Sequence, residues 1–148
     1  MRFWDSSAVV PLLVPEAPSE RLKHLYDGDP AVLAWWGTEV ECVSAIVRRQ
    51  RVGRLNPALA TTGLERLRAL RAGWSEVEPR EEVREVAKRF LRVHDLRAAD
   101  ALQLAAAFFA AESRPPTLEF VCLDDRLLGA AHREGFVTIG PGASASSG

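Results

Sequence analysis

The stretch LRAADALQLAAAFFAA, from Leu96 to Ala111, constrains the fold of this chain more than any other. It contains no Gly, Pro or β-branched residue and consists mostly of Ala and Leu, so it is expected to be helical. It is apolar nearly all round, and a helix of that kind belongs inside a protein. Yet Asp100 stands in its N-terminal half, and no charged residue follows before Glu112. Burying an unpaired carboxylate is costly, so such a group holds a cation, meets a basic partner or stays protonated. A structural ion pair with an arginine such as Arg97, or the favourable field of the helix N-terminus, would equally account for it. The choice turns on whether other acids occupy similarly awkward places.

At 148 residues the chain has the length of one domain with a substantial core. That domain is expected over residues 1–140. The tail 141–148, PGASASSG, has nothing to bury and is expected to be disordered. Hydrophobic residues make up 47% and charged residues 26%, which suits a soluble globular protein and excludes a low-complexity chain. Cys42 and Cys122 form no CxxC pair and lie in apolar surroundings, so both are expected as reduced core residues. Asp5 interrupts the N-terminus where a secretory signal needs an apolar run, and no segment approaches the ~18 apolar residues of a membrane span. A cytoplasmic location is the expectation. A net charge of −1 argues against a general nucleic-acid coat protein but leaves room for a local basic surface.

Along the chain, Arg2-Phe3-Trp4 is a short strand ending at Asp5, followed by a helix entered through Ser6 or Ser7 and closed by Pro15 and Pro18. Ser19 to Asp27 is helical, and Gly28-Asp29-Pro30 stops it. Ala31 to Trp35 is a continuously apolar strand, as in a sheet covered on both faces. Gly37-Thr38 opens a helix to about Arg51, with Thr38 as cap, Val40, Val43 and Val47 as its apolar stripe, and Gly53 just past its end. Asn56-Pro57 starts the next helix, to about Ala72. Trp74 to Val77 is a strand, and a charged amphipathic helix runs from Pro79 to Val93. Asp95 is the expected cap of the Ala-rich helix. Leu118 to Leu123, the helix Arg126 to Glu134 ended by Gly135, and the strand Phe136 to Ile139 complete the pattern. No helix follows Gly140 and Gly142, which excludes a dinucleotide site there. Alternating strands and helices define an α/β fold with a mostly parallel sheet.

In such sheets ligands bind at the carboxyl ends of the strands. Asp5 and Asp124 each end a strand, and Glu41 opens the helix that follows another. Asp100 cannot be assigned to that edge, because its helix follows a helix. Taken singly, Asp5 and Asp124 also read as N-caps and Glu41 as a favourable first-turn charge. Several carboxylates packed together raise one another's pKa unless a cation neutralises them. An all-oxygen set suits Mg²⁺ or Mn²⁺, and the scattered His24, His94 and His132 offer no zinc pattern. Bound Mg²⁺ activates water and stabilises charge on a phosphodiester, with ions ~4 Å apart where two are used. A haloacid-dehalogenase-type phosphatase would need an acid where Ser7 stands, and a receiver-type phospho-acceptor needs a lysine after Lys88, where none occurs. A serine hydrolase would need GxSxG, which is missing.

These residues carry a resemblance to the PIN-domain proteins, and among them to the VapC toxins of bacterial toxin–antitoxin pairs. The matching segments are Phe3-Trp4-Asp5-Ser6-Ser7-Ala8, Glu39-Val40-Glu41 with Ser44-Ala45-Ile46 and Arg48-Arg49, Leu96-Arg97-Ala98-Ala99-Asp100-Ala101-Leu102, and Leu123-Asp124-Asp125-Arg126-Leu127. They span residues 3 to 140 in the family's order and spacing. The resemblance implies a PIN fold with a central, parallel five-stranded sheet and a Mg²⁺- or Mn²⁺-dependent endoribonuclease. It implies Asp5, Glu41, Asp100 and Asp124 as the catalytic metal-site quartet, supported by Ser7 and Asp125. It also implies a homodimer held in check by a small VapB-like antitoxin. Where the family often has Thr or Ser two places before the fourth acid, this chain has Cys122.

Arg48, Arg49, Arg51 and Arg54, with Arg66, Arg68 and Arg71 on the next helix, form the densest basic region. It reads either as a surface for RNA phosphates or an acidic partner, or as a solvated face whose charges suit a helix C-terminus. Two further functions stay open beside the toxin: a PIN-like module that binds RNA or protein without cutting, and a PIN nuclease for RNA maturation or repair without an antitoxin.

Overall fold

The computed structural model describes residues 1–142; the expected tail beyond Gly142 lies outside the described residues. Five short strands, β1 (Arg2–Trp4), β2 (Val32–Trp35), β3 (Ser75–Val77), β4 (Glu119–Val121) and β5 (Val137–Ile139), form one sheet in the order β3-β2-β1-β4-β5. Every neighbouring pair is parallel, as the alternation of strands and helices requires. Among the described residues, seven α-helices and a short 3-10 turn at Pro115–Thr117 connect them: α1 (Ser6–Leu13), α2 (Ser19–Gly28), α3 (Thr38–Arg51), α4 (Pro57–Gly73), α5 (Glu81–Val93), α6 (Ala98–Ala110) and α7 (Asp125–Arg133).

Alternate strand residues face opposite layers, which divides the core in two. Phe3, Trp35, Val77 and Phe120 pack with Val83, Phe90, Leu104 and Leu127 of α5, α6 and α7. Trp4, Val32, Ala34 and Val121 pack with Val9, Ile46 and Leu67 of α1, α3 and α4. Phe3 and Phe120, opposite one another in the β1–β4 register, stack with ring centroids 5.3 Å apart. The helices of the second layer approach closely at Gly63, where a Cβ would stand 2.7 Å from Val14 Cγ1. Gly135 ends α7 with φ +100°, a conformation that favours glycine. No helix among the described residues is long and apolar enough to cross a membrane.

Four local expectations are corrected. Asp5, not Ser6 or Ser7, caps α1. Asp95 does not cap α6: that helix begins at Ala98 after an extended Arg97, and the exposed Asp95 carboxylate faces Arg126 Nη1 at 3.7 Å. On α3 the inward ridge is Thr38, Cys42 and Ile46, while Val40 is 66% exposed and Val43 also faces solvent. The valines and the true ridge have similar spacing, so periodicity does not rank them. Thr38 is accordingly the first helical residue rather than the cap, and its hydroxyl meets Gln103 of α6.

Candidate active site

The strand order makes β1 and β4 neighbours although the chain leaves them in opposite directions, β1 toward β2 and β4 toward β5. That is the switch point at which open α/β sheets bind ligands. Asp5 follows the last residue of β1, and Cys122, Leu123 and Asp124 follow β4. α3 brings Glu41 in its first turn, and α6, packed against β2 from the other layer, brings Asp100 in its own first turn.

Asp5 is 3% exposed. Its Oδ2 accepts from the backbone N–H of Ser7 at 3.1 Å and from Ser7 Oγ at 2.5 Å. The same hydroxyl oxygen accepts from the N–H of Leu123 at 2.9 Å, so Ser7 ties the end of β1 to the end of β4. The helix-cap role and the site role of Asp5 are thus one geometry. Burial pushes the Asp5 carboxyl above the usual carboxylate range, against the pull of the Ser7 hydrogen bonds.

Glu41 is held on both oxygens. Ser6 Oγ donates to Oε1 at 3.1 Å, and Gln103 Nε2 donates to Oε2 at 3.0 Å. Burial, then the neighbouring Asp5 charge, raise its pKa to about 7, with hydrogen bonds from Gln103 and Ser6 opposing and Asp100 adding to the rise. Asp100, half-buried, is raised first by burial and then by Asp5 and Asp124, with Arg97 and Arg126 pulling the other way. Asp124 caps α7, its Oδ1 accepting from the N–H of Leu127 at 2.9 Å, and both Asp124 and Asp125 are exposed.

The ion-pair explanation of Asp100 finds no support: among the described residues no Lys, Arg or His stands within 4.0 Å of the carboxylates of Asp5, Glu41, Asp100 or Asp124. Nor do three His, Cys, Asp or Glu side chains form a closed set of metal ligands among those residues. Glu41 and Asp100 are the two acids that neighbouring carboxylates push up, and Asp5 is pushed up by burial. In donor chemistry, all oxygen and charged, the site fits a hard divalent cation. Ser6, Thr38 and Gln103 were not singled out from the sequence as site residues. The available signal for Gln103 was a lone amide in an apolar helix, three residues beyond Asp100 and so on its face.

Cys122 is buried and free, as expected, but it belongs to this site. Its Sγ lies 3.6 Å from Asp5 Oδ2, 3.4 Å from the carbonyl of Asp124 and 3.7 Å from Ser7 Oγ. Burial and the Asp5 charge push its thiol up, which keeps it protonated beside the acids.

The basic region divides. Arg48, Arg51 and Arg54 are exposed at the C-terminal end of α3, whereas Arg49 is engaged with Glu16 and with the carbonyl of Ala45 at 3.2 Å. Arg71 is shared between Glu39 and Glu76 at 3.6 and 3.8 Å. A cavity of about 740 Å³ opens between α1, α2 and α4, lined by residues including Leu13, Tyr26, Leu59 and Leu70, and none of the four acids lines it.

No protein-family model matches the sequence, and no curated protein matches it. Solved structures do. FitAcB from Neisseria gonorrhoeae matches with a TM-score of 0.63 at 18% identity, over 94% of this chain and 96% of that one. FitAB bound to an IR36 DNA fragment matches with a TM-score of 0.67 at 17% identity, over 100% of both chains. PAE2754 from Pyrobaculum aerophilum matches with a TM-score of 0.60 at 23% identity, over 87% of this chain and 78% of that one. Together with the five-stranded, all-parallel sheet flanked by helices, these likenesses show that the chain has the fold of the PIN-domain structures.

Proposed function

We propose that the chain is a Mg²⁺- or Mn²⁺-dependent endoribonuclease of the VapC type, the toxin of a toxin–antitoxin pair. What supports this reading is that Asp5 and Asp124 follow the neighbouring strands β1 and β4, that Glu41 is raised in part by Asp5 and Asp100 and Asp100 in part by Asp5 and Asp124, and that none of the four is in an ion pair among the described residues. Neighbouring carboxylates raise one another's pKa, and a bound cation would relieve that repulsion. Asp5, Glu41, Asp100 and Asp124 would hold the cation. When bound, it supplies an activated water and neutralises charge developing on the phosphodiester. The chain's own part is to keep Asp5 fixed through Ser7, and Glu41 fixed through Ser6 and Gln103, so that little ordering is left to the moment of binding. Asp125 borders Asp124 in the first turn of α7 and supports that end of the site.

The toxin assignment, the cytoplasmic location, the homodimer and the VapB-like antitoxin rest on the sequence motifs, and the fold shared with FitAcB and FitAB is compatible with them. The test is incubation of the pure protein with total RNA in Mg²⁺, in Mn²⁺ and in EDTA. Cleavage is expected with either ion and not in EDTA; cleavage in EDTA would remove the metal from the reaction. A protein that binds RNA but is inert with both ions would be a binding module of the same fold.

Because Arg49 is engaged with Glu16, the exposed Arg48 and Arg51, in no ion pair among the described residues, are the better RNA contacts. Arg48→Ala combined with Arg51→Ala is expected to weaken RNA binding and to lower the slope of log affinity against log salt by roughly 1–2, as loss of two phosphate contacts would. An unchanged slope in a binding titration would return both residues to an ordinary solvated face.

A further inference from the structure

We propose that Gln103 is the positioning residue of the acidic site, its amide fixing the Glu41 carboxylate in place for cation binding. The inference rests on the reading that these acids hold a divalent cation. Gln103 is fully buried in α6, among Ala101, Leu104, Ala105, Ala106 and Ala107. Both of its N–H bonds are committed to the first turn of α3: Nε2 donates to Thr38 Oγ1 at 2.9 Å and to Glu41 Oε2 at 3.0 Å. Its Oε1 has no hydrogen-bond partner among the described residues although it is buried. A side chain kept for packing alone would not leave a buried acceptor unmade, since Met or Leu fills similar volume without that cost. The arrangement instead gives up one hydrogen bond to aim both donors across the interlayer gap.

What the donors achieve is specific to Glu41. Its other oxygen is held by Ser6 from the start of α1, so the carboxylate is gripped between two layers of the fold. α6 therefore serves the site twice from one face: directly through Asp100 and, one turn on, through Gln103 acting on Glu41. Thr38 completes the device, because its hydroxyl takes the second N–H, while the acceptor-only carboxylate of Glu41 fixes which way round the amide stands. Partners that orient a ligating group in this way contribute to metal affinity without touching the ion.

Mn²⁺ titration calorimetry at pH 8 on the full chain tests this, with melting curves for each variant. Gln103→Met is expected to weaken Mn²⁺ binding about 10-fold. If Gln103 acts through Glu41, the same change made in a Glu41→Gln background should alter affinity by less than about 2-fold, the usual limit of additivity error. Thr38→Val removes only the amide's second anchor and is expected to shift affinity in the same direction by less, which keeps the test alive should Gln103→Met fail to fold. Wild-type binding with Gln103→Met within about 2-fold of it would overturn this proposal alone, as would unchanged affinity in Thr38→Val if Gln103→Met does not fold. An equal loss in both backgrounds would overturn it too, because Gln103 would then act elsewhere. Wild-type protein that binds no Mn²⁺ would overturn the metal reading, and this proposal with it.

Discussion

Glu41→Gln is expected to stabilise the metal-free protein at pH 8 by on the order of 3 kcal/mol and to remove the Glu41 share of its pH dependence above pH 4.5. The Glu41 carboxyl rises from an ordinary 4.5 to about 7, chiefly through burial and the adjacent Asp5 charge. Between those two values the folded state keeps a proton that the unfolded chain has released, so stability falls as pH rises through that window. It is highest below about 4.5 for this group and levels off above about 7, the reverse of a salt-bridged carboxylate. Asp5 and Asp100 are displaced in the same direction and add to the fall. The amide of glutamine keeps the size of Glu41 and can still meet both Ser6 and Gln103, while removing the charge. Urea denaturation in EDTA at pH 5 and pH 8 measures the effect. The wild type should lose more stability between the two values than the variant does. Asp100→Asn should move the pH 8 value the same way by less, since Asp100 is only half-buried. A wild type more stable at pH 8 than at pH 5, or a variant destabilised at pH 8, would show that these acids have basic partners rather than one another.

Asp5→Asn is expected to reduce metal-dependent RNA cleavage by more than about 100-fold, beyond what loss of an indirect partner costs, while leaving the fold intact. The fold should survive because asparagine caps helices as well as aspartate does. Its side-chain oxygen can still accept from the backbone N–H and the hydroxyl of Ser7, so the link from β1 through Ser7 to Leu123 holds. What is lost is the charge at the most buried of the four acids. The same loss relieves Glu41 of the like charge that raises it most, so the metal-free variant should melt higher than the wild type at neutral pH. Cleavage rates at saturating Mg²⁺ and melting curves in EDTA, taken on the same preparations, separate the two consequences. Cleavage at the wild-type rate would remove Asp5 from the chemistry and leave it a helix cap.

Much of this molecule was legible before any coordinates. Short β-rich or apolar runs punctuated by Gly and Pro located all five strands, and the Ala- and Leu-rich composition of α6 marked it as a buried helix with an acid that needed explaining. Asp5 and Asp124 could be assigned to one edge because chain direction alone determines where a parallel strand ends. Three things depended on tertiary structure. The inward face of α3 did, because the valines and the Thr38–Cys42–Ile46 ridge are equally periodic and only packing against the sheet ranks them. The place of Asp100 did, because a helix that follows a helix has no direction set by a strand, and only the docking of α6 on the sheet brings its first turn to the switch point. The hold on Glu41 did as well. Its partners Ser6 and Gln103 lie 35 and 62 residues away, and no local pattern encodes hydrogen bonds between side chains that meet only when three helices from two layers come together. Composition and periodicity therefore determined the elements and which acids are anomalous, while the strand order and interlayer packing decided which of those acids feel one another's charge.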